Sequence, residues 1–314
     1  MRIVNRPPVA QPFRAPIAGL KPFRAGIAGL KPWATFAMFL FAGGTLATAQ
    51  TPKTEAAAGV LAAAREALGG EKKLAAVKTL VATGRTRQIR GENLVPIEFE
   101  LAIELPDRYV RKDEIPAQES EPTTVGFNGE ELIQYPVPAA PAGPARAGGP
   151  PAPTPEQQEA ARRTRLANVK QDFARLMLGM FAASFSTVPL TFTYAGKAEA
   201  PQGKADVIDV KGPGNFSARF FVDADKHLPI MMSWTAPIPP QRGRGPGGAS
   251  GAGAAGGGAA AESRLYFADY REAGGIQFPF RLRRAVGADT VEETTFDGFR
   301  INTKIDPKKF EVRR

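Results

Sequence analysis

Residues 94–105 read LVPIEFELAIEL, and their spacing decides the fold class. Ile97, Phe99, Leu101, Ile103 and Leu105 share one parity, while Glu98, Glu100 and Glu104 share the other. A period of two with one apolar and one charged side describes an antiparallel strand buried on one face and wet on the other. Working outward, residues 78–89 and 108–115 read as its neighbours, with Pro106-Asp107 as a turn. Residues 125–127 and 132–135 flank Asn128-Gly129, a dipeptide suited to the left-handed positions of a tight hairpin. The same alternation returns in Leu190/Phe192/Tyr194, Phe216/Phe220/Val222, Ile230/Met232/Trp234 and Ile276/Phe278/Phe280/Leu282. It predicts strands over 187–195, 204–211, 215–223, 228–236, 263–272, 275–286 and 290–301.

Two segments carry the helical pattern instead. Residues 54–68 are Ala-rich and stop at Gly69-Gly70, and 71–77 makes a short second turn that offers Leu74 and Val77 to a core. Thr154-Pro155-Glu156-Gln157 has the form of a capping box with Pro at the first helical position. The helix it opens is expected to run to about Phe181, with Leu166, Val169, Phe173, Leu176, Met177 and Met180 as its apolar stripe. The expectation is an α+β fold: a curled antiparallel half-barrel sheet of about 11–12 strands, with helices covering its concave face. A single sheet of that size must curl, and its apolar face must be covered.

Two low-complexity inserts interrupt the pattern. Residues 136–155 hold 8 Pro, 6 Ala and 3 Gly, and 236–261 hold 9 Gly, 8 Ala and 4 Pro, so neither can pack a core. Each is expected to be a mobile loop, the second a hairpin tip grown long. At the start of the chain, residues 33–46 form a short apolar run after a basic, acid-free segment, and Ala47-Thr48-Ala49 follows. That order reads as a secretory signal peptide cleaved after Ala49, leaving Gln50 first. Residues 1–49 are thus a signal peptide with a long basic n-region, which includes the tandem repeat PFRAPIAGLK and PFRAGIAGLK at 12–31. Residues 50–314 are read as one domain, exported to the periplasm, with secretion as the alternative. An uncleaved anchor would need about 20 apolar residues, and this run is shorter.

Composition removes several classes of chemistry. The 314 residues include no Cys and one His, His227, so thiolate nucleophiles, Cys-ligated metals and His-pair metal sites are excluded within one chain. No nucleophile–base pair is visible, no cofactor is expected, and the protein is read as not an enzyme. The net charge of +10 is uneven: six of the 41 basic residues lie in the first fifty, where there is no acid. The remainder carries 35 basic against 31 acidic residues, which gives no reason to expect a nucleic-acid partner. Two G-x-G-x-x-G matches, at 243–248 and 251–256, join no strand to a helix and are compositional. Asp223-Ala224-Asp225-Lys226-His227 reads as a turn rather than a metal site.

Four stretches carry a resemblance. They are ALGGEKKLAAVKTLVATG (67–84), FFVDADKHLPIMMSW (220–234), DYREAGGIQFPFRLRR (269–284) and TKIDPKKFE (303–311). Together they resemble the lipoprotein-sorting superfamily typified by the periplasmic carrier LolA, over roughly 55–135 and 165–311. The resemblance implies a half-barrel lidded by helices, with an apolar cavity that takes acyl chains. Candidate lining residues are Phe99, Leu101, Ile103, Phe192, Phe220, Met232, Trp234, Phe278 and Phe280 on the strands, with Phe173, Met177 and Met180 on the helix. The implied partner is a lipid or a lipoprotein acyl chain, with only transient membrane contact. A protein-binding sensor or envelope assembly factor, with the cavity packed shut, is the alternative on the same scaffold.

Overall fold

Each helix is placed by the residues it buries. The computed structural model describes residues 51–90, 93–116, 118, 120–137, 153–200, 203–237 and 260–312. The signal-peptide reading of 1–49, the Ala49/Gln50 junction and most of the two inserts lie outside the described residues. Helix α1 (Thr51–Leu68) buries Ala57, Leu61, Ala64 and Leu68, one stripe at spacings of three and four. It ends at Gly69 and Gly70, both at positive φ, and the short α2 (Glu71–Ala75) then buries Leu74. Helix α3 (Pro155–Phe181) opens on the expected capping box. The Gln157 amide donates to Thr154 Oγ1 at 3.3 Å, and the Thr154 amide donates to Gln157 Oε1 at 2.9 Å. Its first eighteen residues are not buried; from Phe173 to Phe181 all but Leu176 are buried.

The strands are β1 (Thr79–Arg90), β2 (Asn93–Glu104), β3 (Arg108–Glu114), β4 (Thr123–Asn128), β5 (Glu131–Tyr135), β6 (Thr191–Ala200), β7 (Gly203–Gly212), β8 (Phe216–Asp223), β9 (Pro229–Pro237), β10 (Ala260–Ala273), β11 (Ile276–Val286) and β12 (Asp289–Ile301). They form one antiparallel sheet in the order β5-β4-β3-β2-β1-β12-β11-β10-β9-β8-β7-β6. Consecutive strands pair within β1–β5 and within β6–β12, β5 and β6 are the two edges, and β1 pairs with β12 and so brings the two halves of the chain together. The expected strand at 187–195 is displaced to Thr191–Ala200. Pro189 has no amide to give a ladder, the Leu190 amide donates to Ser184 Oγ at 2.8 Å, and Phe185 and Val188 make an isolated bridge.

The curl follows from two residues of α3. The Phe173 ring lies 5.2 Å from Phe127 on β4, while the Arg175 guanidinium lies 4.4 Å from the Trp234 ring on β9. In a flat sheet β4 and β9 would be seven strand spacings apart, about 34 Å. Neighbouring side chains of one helix reach both only if the sheet wraps around it. The concave face holds the main core, which runs from Leu80, Leu101 and Phe127 through Phe278 and Phe296 to Phe216, Phe220 and Met232. A second, small core lies on the convex face. There Phe310, in the 3-10 turn Pro307–Phe310, packs with Ala102, Val110 and Ile133.

Candidate functional site

The twelve candidate lining residues come together. Phe99, Leu101, Ile103, Phe173, Met177, Met180, Phe220, Met232, Trp234, Phe278 and Phe280 all belong to the main core, none more than 9% exposed, and half-buried Phe192 packs at its margin. Ring contacts tie them to their neighbours: Phe99 to Phe296 at 5.4 Å, Phe173 to Tyr109 at 5.3 Å, and Phe278 to Phe299 at 4.5 Å. The interior is therefore occupied by side chains, with α3 as the piece that completes it. Two hollows of about 460 and 450 Å³ lie toward the convex face. They are lined largely by charged residues such as Glu98, Glu100, Lys112, Lys308 and Lys309, and of the twelve only Phe99 borders one. The glutamates of this face are paired across the surface: Glu100 with Lys309 of the 3-10 turn, and Glu104 with Arg108 at 3.2 Å.

Beside the apolar floor, the concave face carries a tier of charged and hydroxyl groups. Arg111 lies over the Phe99 ring at 4.6 Å, donates through Nε to Asp113 at 2.6 Å and through Nη2 to Thr86 Oγ1 at 3.0 Å. Thr86 bonds Thr294 at 2.9 Å, and Thr294 donates to Glu292 at 3.4 Å, so the chain of bonds crosses from β3 to β12. Burial opposes the charge of Arg111, but Asp113, Tyr109 and Glu292 outweigh it and hold its pKa above the ordinary value. Burial also pushes the Tyr109 phenol up to about 12. Further along, Arg175 of α3 donates through Nη1 to Asp172 at 2.8 Å, and Arg284 of β11 stands 3.7 Å from the same oxygen.

No family model and no curated protein matches the chain. Among solved structures it is similar to a LolA superfamily protein of Nitrosomonas europaea, at 9% identity and a TM-score of 0.47, over 81% of this chain and 97% of that one. A putative outer membrane lipoprotein-sorting protein domain from Vibrio parahaemolyticus matches at 11% identity and 0.43, over 82% and 97%. A DUF1329 family protein of Desulfovibrio piger matches at 7% and 0.40, over 81% and 97%.

The arginines of the concave tier were not singled out by the sequence reading, yet each leaves a signal. Arg175 is the one charge in the otherwise apolar run FARLMLGMF (173–181). Arg284 extends the parity of Phe278, Phe280 and Leu282, and Arg111 extends that of Tyr109. A charge that continues an apolar face is the mark to look for, because such a residue is carried inward with its neighbours. The Asp223–His227 segment is a turn: Asp223 Oδ1 accepts from the amides of Asp225 and Lys226 at 2.9 and 2.7 Å, and His227 takes a positive φ of 57°. No described helix is long and apolar enough to cross a membrane.

Proposed function

We propose that this protein is an exported, non-enzymatic binder or carrier of lipid or lipoprotein acyl chains, which it takes up on the concave face beneath α3. One observation carries the reading: the apolar face of an open sheet is covered by a helix whose buried residues are confined to its last turns, from Phe173 onward, with Leu166 and Val169 only partly buried before them. An acyl chain would take the place that Phe173, Met177 and Met180 now fill against the sheet. Methionine is unbranched and repacks readily, so such an exchange leaves few voids. A dozen methylenes buried this way give about 10 kcal/mol of gross affinity with no polar chemistry. Export rests on the basic, apolar and A-x-A order of residues 1–49.

A second reading is favoured by the filled interior: a scaffold whose core stays shut and whose partner is an envelope protein. Native mass spectrometry of the exported protein, followed by titration with a fluorescent fatty acid, separates the two. The carrier reading expects co-purified acyl lipid, saturable binding, and faster amide exchange in residues 173–181 once lipid is bound. Absence of both lipid and saturable binding would overturn it in favour of the shut scaffold.

A further inference from the structure

Arg175 is an expensive residue to place where it stands. Its side chain is 9% exposed, on the buried face of α3. The guanidinium lies 4.4 Å from the Trp234 ring and 5.1 Å from the Phe216 ring. Nη1 donates to Asp172 Oδ1 at 2.8 Å and Nη2 to Gln171 Oε1 at 3.3 Å, while Nε is buried with no hydrogen-bond partner. Burial of a guanidinium with an unused donor is unfavourable unless something further meets it.

A second guanidinium shares the same surroundings. Arg284 stands 3.7 Å from Asp172 Oδ1 and 5.7 Å from the same Trp234 ring. Among the described residues, Asp172 is the one carboxylate ion-paired to either arginine. Glu292 lies opposite Arg284 in the ladder, but its carboxylate accepts from Thr294. Burial, with repulsion from Arg284, holds the Arg175 pKa below its ordinary value even against Asp172. The two arginines therefore share one carboxylate, and neither is saturated by it.

The position of the pair adds the second half of the argument. Asp172 is 53% exposed and Arg284 36% exposed, so this cluster reaches water on one side. On the other side Trp234 and Phe216 lead into the main core beside Phe220 and Met232. Charge at the rim and apolar rings behind it match a molecule with an anionic head and a hydrocarbon tail.

We propose that Arg175 and Arg284, seated on Trp234, recognise the oxyanion headgroup of the acyl-chain ligand, a carboxylate or a phosphate. This rests on the acyl-chain reading above. The head takes over Arg284 and the unsatisfied side of Arg175, and half-exposed Asp172 turns out to solvent. The tail runs over Trp234 and Phe216 into the concave face.

The chain has two tryptophans, Trp33 and Trp234. The full chain carrying Trp33→Phe leaves Trp234 as the single tryptophan fluorophore, and it sits in the site. Lauric acid, dodecyl phosphate and uncharged dodecanol are titrated against it, with affinities checked by calorimetry. The expected result is that one or both anionic probes bind at least about tenfold tighter than dodecanol, the scale of one charge-assisted hydrogen bond in a partly buried site. Arg284→Gln and Arg175→Gln should each collapse that ratio. Arg284 is partly exposed, so its variant keeps the test decisive should Arg175→Gln fail to fold. Which anion is preferred tells a free fatty acid from a lipid phosphate. Equal affinity for all three probes, or a ratio unchanged in Arg284→Gln, overturns the headgroup site while leaving acyl-chain binding standing. Binding of none of the three overturns both.

Discussion

Gly179 lies where α3 presses against β10, and its replacement by alanine tests how tightly the helical cover is seated. An added Cβ would stand 2.5 Å from Cδ1 of Phe267 and nearer still to Cε1 and Cζ of that ring. Carbon atoms in ordinary contact are about 3.5–4.0 Å apart, so helix and ring must separate by more than 1 Å or so. Phe267 is 3% exposed and belongs to the main core, so its ring can move only against other buried side chains. Two effects oppose each other. Alanine improves helix propensity by about 1 kcal/mol over glycine, and overpacking costs about 1–3 kcal/mol. The depth of this clash puts the cost near the top of its range, so the net expectation is a loss of about 2 kcal/mol. Urea unfolding followed by circular dichroism, on the parent, Gly179→Ala, Phe267→Leu and the double variant, measures it. The smaller ring-less side chain should relieve the clash and give a coupling of about 1–2 kcal/mol between the two sites. A stabilised Gly179→Ala protein, by the 1 kcal/mol or so that propensity alone provides, would refute the close seating of α3. On the acyl-chain reading the same substitution, by loosening the cover, should also speed uptake of a fluorescent fatty acid.

The convex core makes a separate forecast. Phe310→Ala removes the ring that joins Ala102, Val110 and Ile133, and should cost about 3 kcal/mol in denaturant unfolding, with amides of 123–135 exchanging first. Tyr109 forecasts the alkaline behaviour. Its folded pKa of about 12 lies above the ordinary 10.0, because burial disfavours the phenolate. A raised folded value means that this group's contribution is complete below pH 10 or so and is lost as pH rises through about 12. The loss is on the order of 3 kcal/mol, and Tyr109→Phe should flatten the urea midpoint against pH over that window.

Period-two parity by itself determined most of the sheet. Ile97 to Leu105 could face one side only, and a strand with such a face must be one of many in an antiparallel sheet that needs covering. The helices were equally local: a capping box at Thr154, a glycine stop at Gly69-Gly70, and stripes at helical spacing. These features depend on neighbours a few residues away, and so they can be read along the chain. The exception shows the limit of such reading, since Leu190 alternates correctly yet its amide is claimed by Ser184.

What only the tertiary structure decided is which faces meet. The closure of β1 on β12, more than two hundred residues away in sequence, follows from global packing rather than any local pattern. The same holds for the filling of the concave face by α3, and for the tail that brings Phe310 onto the convex side of β2 and β3. Arg175 and Arg284 are 109 positions apart, and nothing in either segment announces that they share Asp172 and the ring of Trp234. Long-range contacts of this kind arise from the curl of the sheet, which is set by the twist accumulated over twelve strands. Parity places a side chain on a face; only the closed fold decides what stands opposite it.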